Sequence, residues 1–176
     1  MQNKPIKRKG LDKSNNGFDA VADMYSQVSE QLPSDYIALI QRTLGIEKKD
    51  RVIDLGCGAG LLTFELRKLA DYVEGLDAAS QMLRIAKQQD PNNNITWICK
   101  PVEEFHFKKD FYSLIISFES FHLFSKQPTL IKRCHAALKS HGNICIAWCQ
   151  LHWEEFLKPC IVESFKSFDI TWDEWG

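Results

Sequence analysis

The stretch "VIDLGCGAGLLT", residues 52–63, sets three glycines at alternate positions between an apolar run and a helix-like segment. Without Cβ atoms, Gly56, Gly58 and Gly60 accept positive φ and let a ligand approach the main chain, whose N–H groups point outward at the start of the next helix. A glycine triplet alone fits equally a tight turn that only packs helix on strand. A nearby acid sharpens the reading. Asp77 closes the next apolar run, "YVEGLD", about 20 residues beyond the glycines, where an acidic side chain of a nucleotide-binding fold accepts both hydroxyls of a ribose. The competing role for Asp77 is to cap the helix that starts near Ser80, but Ser80 can itself cap that helix.

What is missing narrows the ligand. The dinucleotide fingerprint G-x-G-x-x-G/A asks for Gly or Ala at position 61, and the chain has Leu61, which disfavours NAD and FAD. No G-K-[ST] follows to cradle phosphates. The pattern therefore points to an adenosine without a diphosphate. Asp54 agrees, because its carboxylate repels a diphosphate but can help hold an ammonium through hydrogen bonding. S-adenosylmethionine carries both an adenosine and an α-ammonium.

These residues must be positioned by the elements around them. A helical pattern begins at Phe18 and runs through Val21, Ala22, Met24 and Tyr25; a second follows Pro33 and ends at Gly45, a natural C-terminal stop. Strand-like runs at 51–55, 72–77, 94–100, 111–118 and 142–149 then alternate with helical patterns at 61–70, 80–89 and 127–139. Continuously apolar strands separated by helices predict an α/β, doubly wound, mostly parallel sheet covered on both faces. Three parts result: a flexible basic tail at 1–16 with Lys4, Lys7, Arg8, Lys9 and Lys13, a ligand-binding domain at 17–150, and a C-terminal helix and tail at 151–176.

The chain of 176 residues is 44% hydrophobic and 26% charged, ordinary for one globular domain, and its net charge of −1 offers nucleic acid or an anionic membrane no general attraction. No apolar run approaches the roughly 20 residues of a membrane span, and no apolar core follows the N-terminal charges as in a secretory signal, so a cytoplasmic location is expected. The six cysteines form no C-x-x-C pair, and reduced core thiols are expected instead of a metal site.

In order and spacing, "VIDLGCGAG", "VEGLDAASQML", "FYSLIISFESFHLF" and "ALKSHGNICIAW" resemble the motifs of class I S-adenosylmethionine-dependent methyltransferases, whose fold is Rossmann-like. The likeness covers residues 18–150, and "FDAVADMY" with "FESFHLF" looks most like the type 11 members and their trans-aconitate methyltransferase-like branch. The resemblance implies that Asp54, Gly56, Cys57, Gly58 and Gly60 surround the methionine moiety. It further implies that Asp77 holds the ribose, with Ala78 and Met82 against the adenine and Val102 and Glu103 at its edge. Many relatives place Asp, Asn or Ser where this chain has Pro101, which removes one bond to the adenine amino group. Ser117 and Phe118 would line the methionine side, and Tyr25 would close over the cofactor.

A sulfonium methyl already has a good leaving group, so such an enzyme works mainly by alignment and needs a general base only for a hydroxyl or protonated amine. Glu119 and His122, in "SFESFHLF", are the candidate catalytic residues; His122 fits equally a hydrogen-bonded histidine in a packed turn. His106, His135, His141 and His152 show no convergent spacing.

The expected function is methyl transfer to a small-molecule acceptor. The alternatives are a cofactor-binding but inactive sensor or partner subunit, and a nucleotide-dependent oxidoreductase. The sequence also predicts that the usual sixth and seventh strands are missing. "NICIAWC" would then be an open sheet edge that invites a dimer or partner chain, or is covered by the tail, or belongs to a fragment of a longer enzyme.

Overall fold

A computed structural model describes residues 18, 19, 22, 34–148 and 161–165. Helix α1 (Ser34–Leu44) leads into β1 (Arg51–Leu55), α2 (Leu61–Leu69), β2 (Tyr72–Asp77), α3 (Ser80–Gln88) and β3 (Thr96–Cys99). The second half runs through β4 (Tyr112–Phe118), a 3₁₀ turn (Phe121–Leu123), α4 (Gln127–Ala137), β5 (Leu138–Trp148) and β6 (Ile161–Phe165). Gly45 ends α1 at φ +60°, its N–H bonding the Gln41 carbonyl at 2.8 Å, an αL stop of the kind its position predicts.

The sheet order is β3-β2-β1-β4-β5-β6, with β1 to β5 parallel. Alternate residues of each strand enter opposite cores, which is why the strands read as unbroken apolar runs. On one face Val52, Leu114, Ile116, Cys145 and Ala147 pack with Tyr36 and Ile40 of α1 and Leu62 and Leu66 of α2. On the other, Ile53, Leu55, Ile115, Ile144 and Ile146 pack with Leu130, Cys134 and Ala137 of α4. Each fully buried aliphatic side chain of this kind contributes about 1.5–3 kcal/mol.

Two expectations are corrected at the C-terminal side. The C-terminal segment at 151–176, expected as a helix and tail, contains a strand at Ile161–Phe165, and the sheet has a sixth strand where none is expected. β6 runs antiparallel to β5, from Ile144 opposite Phe165 to Trp148 opposite Ile161. The physical reason is the edge itself: the unpaired N–H and C=O groups of β5 offer a ladder, and pairing with it outweighs a local helical pattern. β5 is therefore an interior strand, and of the arrangements expected for its edge the structure shows the one in which the following segment covers it.

The expected tail at 1–16 and Tyr25 lie outside the described residues. Of the cysteines, Cys57, Cys134 and Cys145 are buried and Cys99 is exposed; all four are free thiols, and Cys149 and Cys160 lie outside the described residues. Among the described residues no helix is long and apolar enough to cross a membrane, and no group of three His, Cys, Asp or Glu side chains could hold a metal ion.

Candidate functional site

Strand order reverses between β1 and β4, and the crevice outside their carboxyl ends is where an open α/β sheet receives its ligand. A cavity of about 340 Å³ lies there, of the size of small-ligand sites. Its walls come from the turn after β1 (Gly56), the end of β2 (Leu76, Asp77), the start of α3 (Met82), the loop after β3 (Lys100–Glu103) and the end of β4 (Phe118–Ser120).

The glycine turn is tied to the end of β2. The amides of Gly56 and Cys57 both donate to the Leu76 carbonyl, at 2.8 and 3.1 Å. Gly58 N–H donates to Asp77 Oδ2 at 2.8 Å, and Ala79 N–H donates to Asp77 Oδ1 at 2.8 Å. A carboxylate offers about four lone-pair positions, so this one retains two acceptor positions after binding both amides, the number a ribose diol needs. Burial raises the Asp77 carboxyl above its ordinary range, and the amides of Ala79 and Gly58 pull it back down.

The three glycines have different reasons to be glycine, although all have positive φ. At Gly56, φ +72°, a Cβ would lie 2.5 Å from both Cβ and Oγ of Ser120. At Gly60, φ +90°, it would meet the rings of Trp97 and Phe64 at 2.7 and 2.9 Å. At Gly58, φ +54°, the space is open and only the backbone conformation is special. Gly60 thus serves helix and sheet packing, and Gly56 admits a neighbouring side chain as closely as a ligand.

That neighbour, which the sequence does not single out, pairs its hydroxyl with that of Ser117, which the sequence does. Ser117 and Ser120 both donate to the Leu55 carbonyl, at 3.1 and 2.7 Å, with their own oxygens 2.8 Å apart. They fasten the end of β4 to the last residue of β1.

Asp54 lies behind the turn, 1% exposed, and accepts the Thr63 hydroxyl at 2.7 Å. Burial pushes its carboxyl up to about 7, against the Thr63 hydrogen bond and with some help from Asp77.

The residues expected at the site therefore separate. Gly56, Asp77, Ala78, Met82, Val102, Glu103, Phe118 and Glu119 line the cavity. Asp54, Cys57, Gly60 and Ser117 are buried and are not among the lining residues, and Gly58, half-buried with open space beside it, does not line the cavity either. His122 is exposed on the 3₁₀ turn and does not line the cavity. Glu119 does, from a backbone at φ +55°, its N–H donating to the Ala147 carbonyl at 2.9 Å. A non-glycine residue in that conformation is uncommon and clusters at functional sites.

Glu103 holds the loop after β3 to the segment after β4, because one oxygen accepts both the amide and the hydroxyl of Ser125, at 2.7 and 2.8 Å. Partial burial alone would raise its carboxyl; the Ser125 amide and hydroxyl and the nearby Arg133 hold it below the ordinary range.

Two further residues come from the N-terminal helical pattern. Phe18 lines the cavity and packs on the cluster of Ala22, Ala79, Met82 and Ile85. Asp19 accepts Gln81 N–H at 2.7 Å and Ser80 Oγ at 3.4 Å. The expected cap of α3 is thereby corrected: Ser80 makes no side-chain cap, and Asp19 supplies the acceptor from 61 residues away in the chain.

A family model described as a methyltransferase domain matches residues 52–142, β1 through the start of the β5 ladder. The chain belongs to this family. A malonyl-[acyl-carrier protein] O-methyltransferase of Priestia megaterium is 28% identical to it over 82% of this chain and 51% of the relative. A ubiquinone biosynthesis O-methyltransferase of Bradyrhizobium diazoefficiens is 31% identical over 60% of this chain and 42% of the relative. Among solved structures, an S-adenosylmethionine-dependent methyltransferase from Mesorhizobium loti superposes with a TM-score of 0.57 at 26% identity, covering 64% of this chain and 53% of that one. The fold is that of the class I S-adenosylmethionine-dependent methyltransferases, and the chain spans about half the length of the curated relatives it matches.

The residues present fit that cofactor. Asp77 keeps acceptor capacity for two ribose hydroxyls, Met82 and Val102 give apolar walls beside it, and no phosphate-binding Lys-Ser/Thr pair follows the glycines.

Proposed function

We propose that the protein transfers a methyl group from S-adenosylmethionine to an oxygen of a small-molecule acceptor. The observation that carries this reading is the Asp77 carboxylate, fixed by the Gly58 and Ala79 amides at the mouth of the switch-point crevice. The oxygen acceptor is supported by the names of the two curated relatives, both O-methyltransferases.

The cofactor supplies a methyl group on a positively charged sulfur. The protein's part is to hold, orient and shield. Asp77 would hold the ribose, Met82 and Val102 would offer apolar contact to the base, and Phe118 with Gly56 would bound the part of the site left for the reactive group. Holding reactants in line contributes about 7–11 kcal/mol toward lowering the barrier. Glu119, on the cavity wall, is placed to accept a proton from a hydroxyl acceptor, and His122, exposed on the 3₁₀ turn, is left out of this step.

The experiment is a calorimetric titration of the chain with S-adenosylhomocysteine, with NAD as a control ligand and Asp77→Ala as a control variant. Micromolar binding that the variant loses supports the reading. Binding of NAD in preference, or no binding of S-adenosylhomocysteine, removes it.

A further inference from the structure

One buried polar group near the cavity is left without a partner. Tyr36, in the first turn of α1, is 6% exposed, and its hydroxyl makes no hydrogen bond to any described residue. Leaving such a group unpaired costs about 1–3 kcal/mol in a folded chain, which makes a missing partner more informative than a present one. Other buried polar side chains around the sheet are satisfied. Glu74, for example, takes the hydroxyls of Tyr72 and Tyr112, and Asp90 takes the amides of Asn94 and Ile95 and the indole N–H of Trp97.

The place of Tyr36 says what the partner is. Its ring packs at 5.1 Å, tilted by 48°, on the ring of Phe118, and Phe118 lines the cavity. Burial above all, and then the Cys145 thiol and the carboxylates of Glu119 and Asp54, at the ends of β4 and β1, keep the phenol protonated. Tyr36 does not itself line the cavity; packed against Phe118, its neutral phenol is a donor in search of an oxygen beside the end where Glu119 lines the wall and Asp54 is buried nearby.

A zwitterionic tail solves this arrangement. Its ammonium is drawn to the carboxylate side, and its carboxylate is repelled by the same groups and needs a neutral donor. We propose that Tyr36 donates its hydroxyl hydrogen to the carboxylate of the cofactor's methionine moiety, making it a cofactor-binding residue on a helix that precedes the glycine turn. This rests on the S-adenosylmethionine reading of the cavity.

The test compares two ligands and one variant. S-adenosylhomocysteine carries the aminocarboxylate tail, and 5′-methylthioadenosine keeps the adenosine and sulfur but lacks the tail. Tyr36→Phe removes one oxygen and no packing volume, so the ligand-free variant melts no lower than the wild type. It is expected to bind S-adenosylhomocysteine about 10- to 100-fold more weakly, the range for losing a hydrogen bond to a charged group, and 5′-methylthioadenosine with unchanged affinity. Equal weakening for both ligands, or no weakening for either, overturns the assignment of Tyr36. Failure of the wild type to bind S-adenosylhomocysteine overturns instead the reading of the cavity.

Discussion

Gly58 N–H and Asp77 Oδ2 are 2.8 Å apart, so the middle of the glycine turn is held by the side chain that ends the neighbouring strand. The same carboxylate takes Ala79 N–H with its other oxygen, and one residue thus fixes the turn after β1 and the turn after β2 together. An amide side chain cannot replace it. Asn has one oxygen, and its NH₂ would face whichever backbone N–H is left, leaving that donor unsatisfied at about 1–3 kcal/mol. Asp77→Asn is expected to lower the melting temperature and to weaken S-adenosylhomocysteine binding tenfold or more. Calorimetry on a variant that melts lower but binds normally would show that Asp77 holds the turns without holding the ligand.

Gly56 and Gly58 predict different costs for the same substitution. Gly58→Ala meets only the left-handed backbone, about 1–2 kcal/mol. Gly56→Ala meets that and also a Cβ 2.5 Å from Ser120, so overpacking adds about 1–3 kcal/mol. Chemical denaturation should rank Gly56→Ala as the more damaging. In a Ser120→Gly background the gap should narrow, because the colliding atoms are gone; additive losses in the double variant would mean that the turn relaxes away from Ser120.

The elements that carry this site could be read from local pattern. β1 and β2 are short apolar runs, each ending in or next to an acid, and Gly45, Gly56, Gly58 and Gly60 all adopt the positive φ that glycine spacing predicts. What escaped was long-range. Ser120 touches Gly56, and Asp19 caps α3, across stretches of chain that leave no periodicity behind. His122 follows β4 three residues after Glu119, and the 3₁₀ turn leaves it exposed while Glu119 lines the wall. At Ile161–Phe165 the deciding partner was β5, and no local propensity announces a ladder offered from elsewhere.

Asp54 makes stability depend on pH in an unusual direction. Its carboxyl titrates near 7 in the folded chain, against about 4 when unfolded. Between those values the folded chain binds more protons than the unfolded one, so stability falls as pH rises from about 4 to about 7 and levels off above. Asp54→Asn retains an oxygen for the Thr63 hydroxyl and has no charge to bury. Thermal melts at pH 5 and pH 8 should show the variant gaining on the wild type at the higher pH. A difference that stays constant with pH would place the Asp54 titration outside this window.

Glu119 and His122 are three residues apart, and the cavity divides them. Glu119 lines it from a left-handed backbone that only a well-supported fold maintains, whereas His122 is exposed on the turn beyond. If Glu119 accepts the proton of a hydroxyl acceptor, Glu119→Gln slows turnover by about 10²–10⁴-fold, the usual span for a general base, and leaves S-adenosylhomocysteine affinity within a few fold. His122→Ala changes neither. The assay needs an acceptor, and a panel of phenols and short carboxylic acids supplies both kinds of oxygen. A carboxylate nucleophile has no proton to lose, so transfer to an acid should tolerate Glu119→Gln while transfer to a phenol does not. Equal tolerance for both would remove Glu119 from the proton's path and leave alignment by Phe118 and Gly56 as the main source of rate.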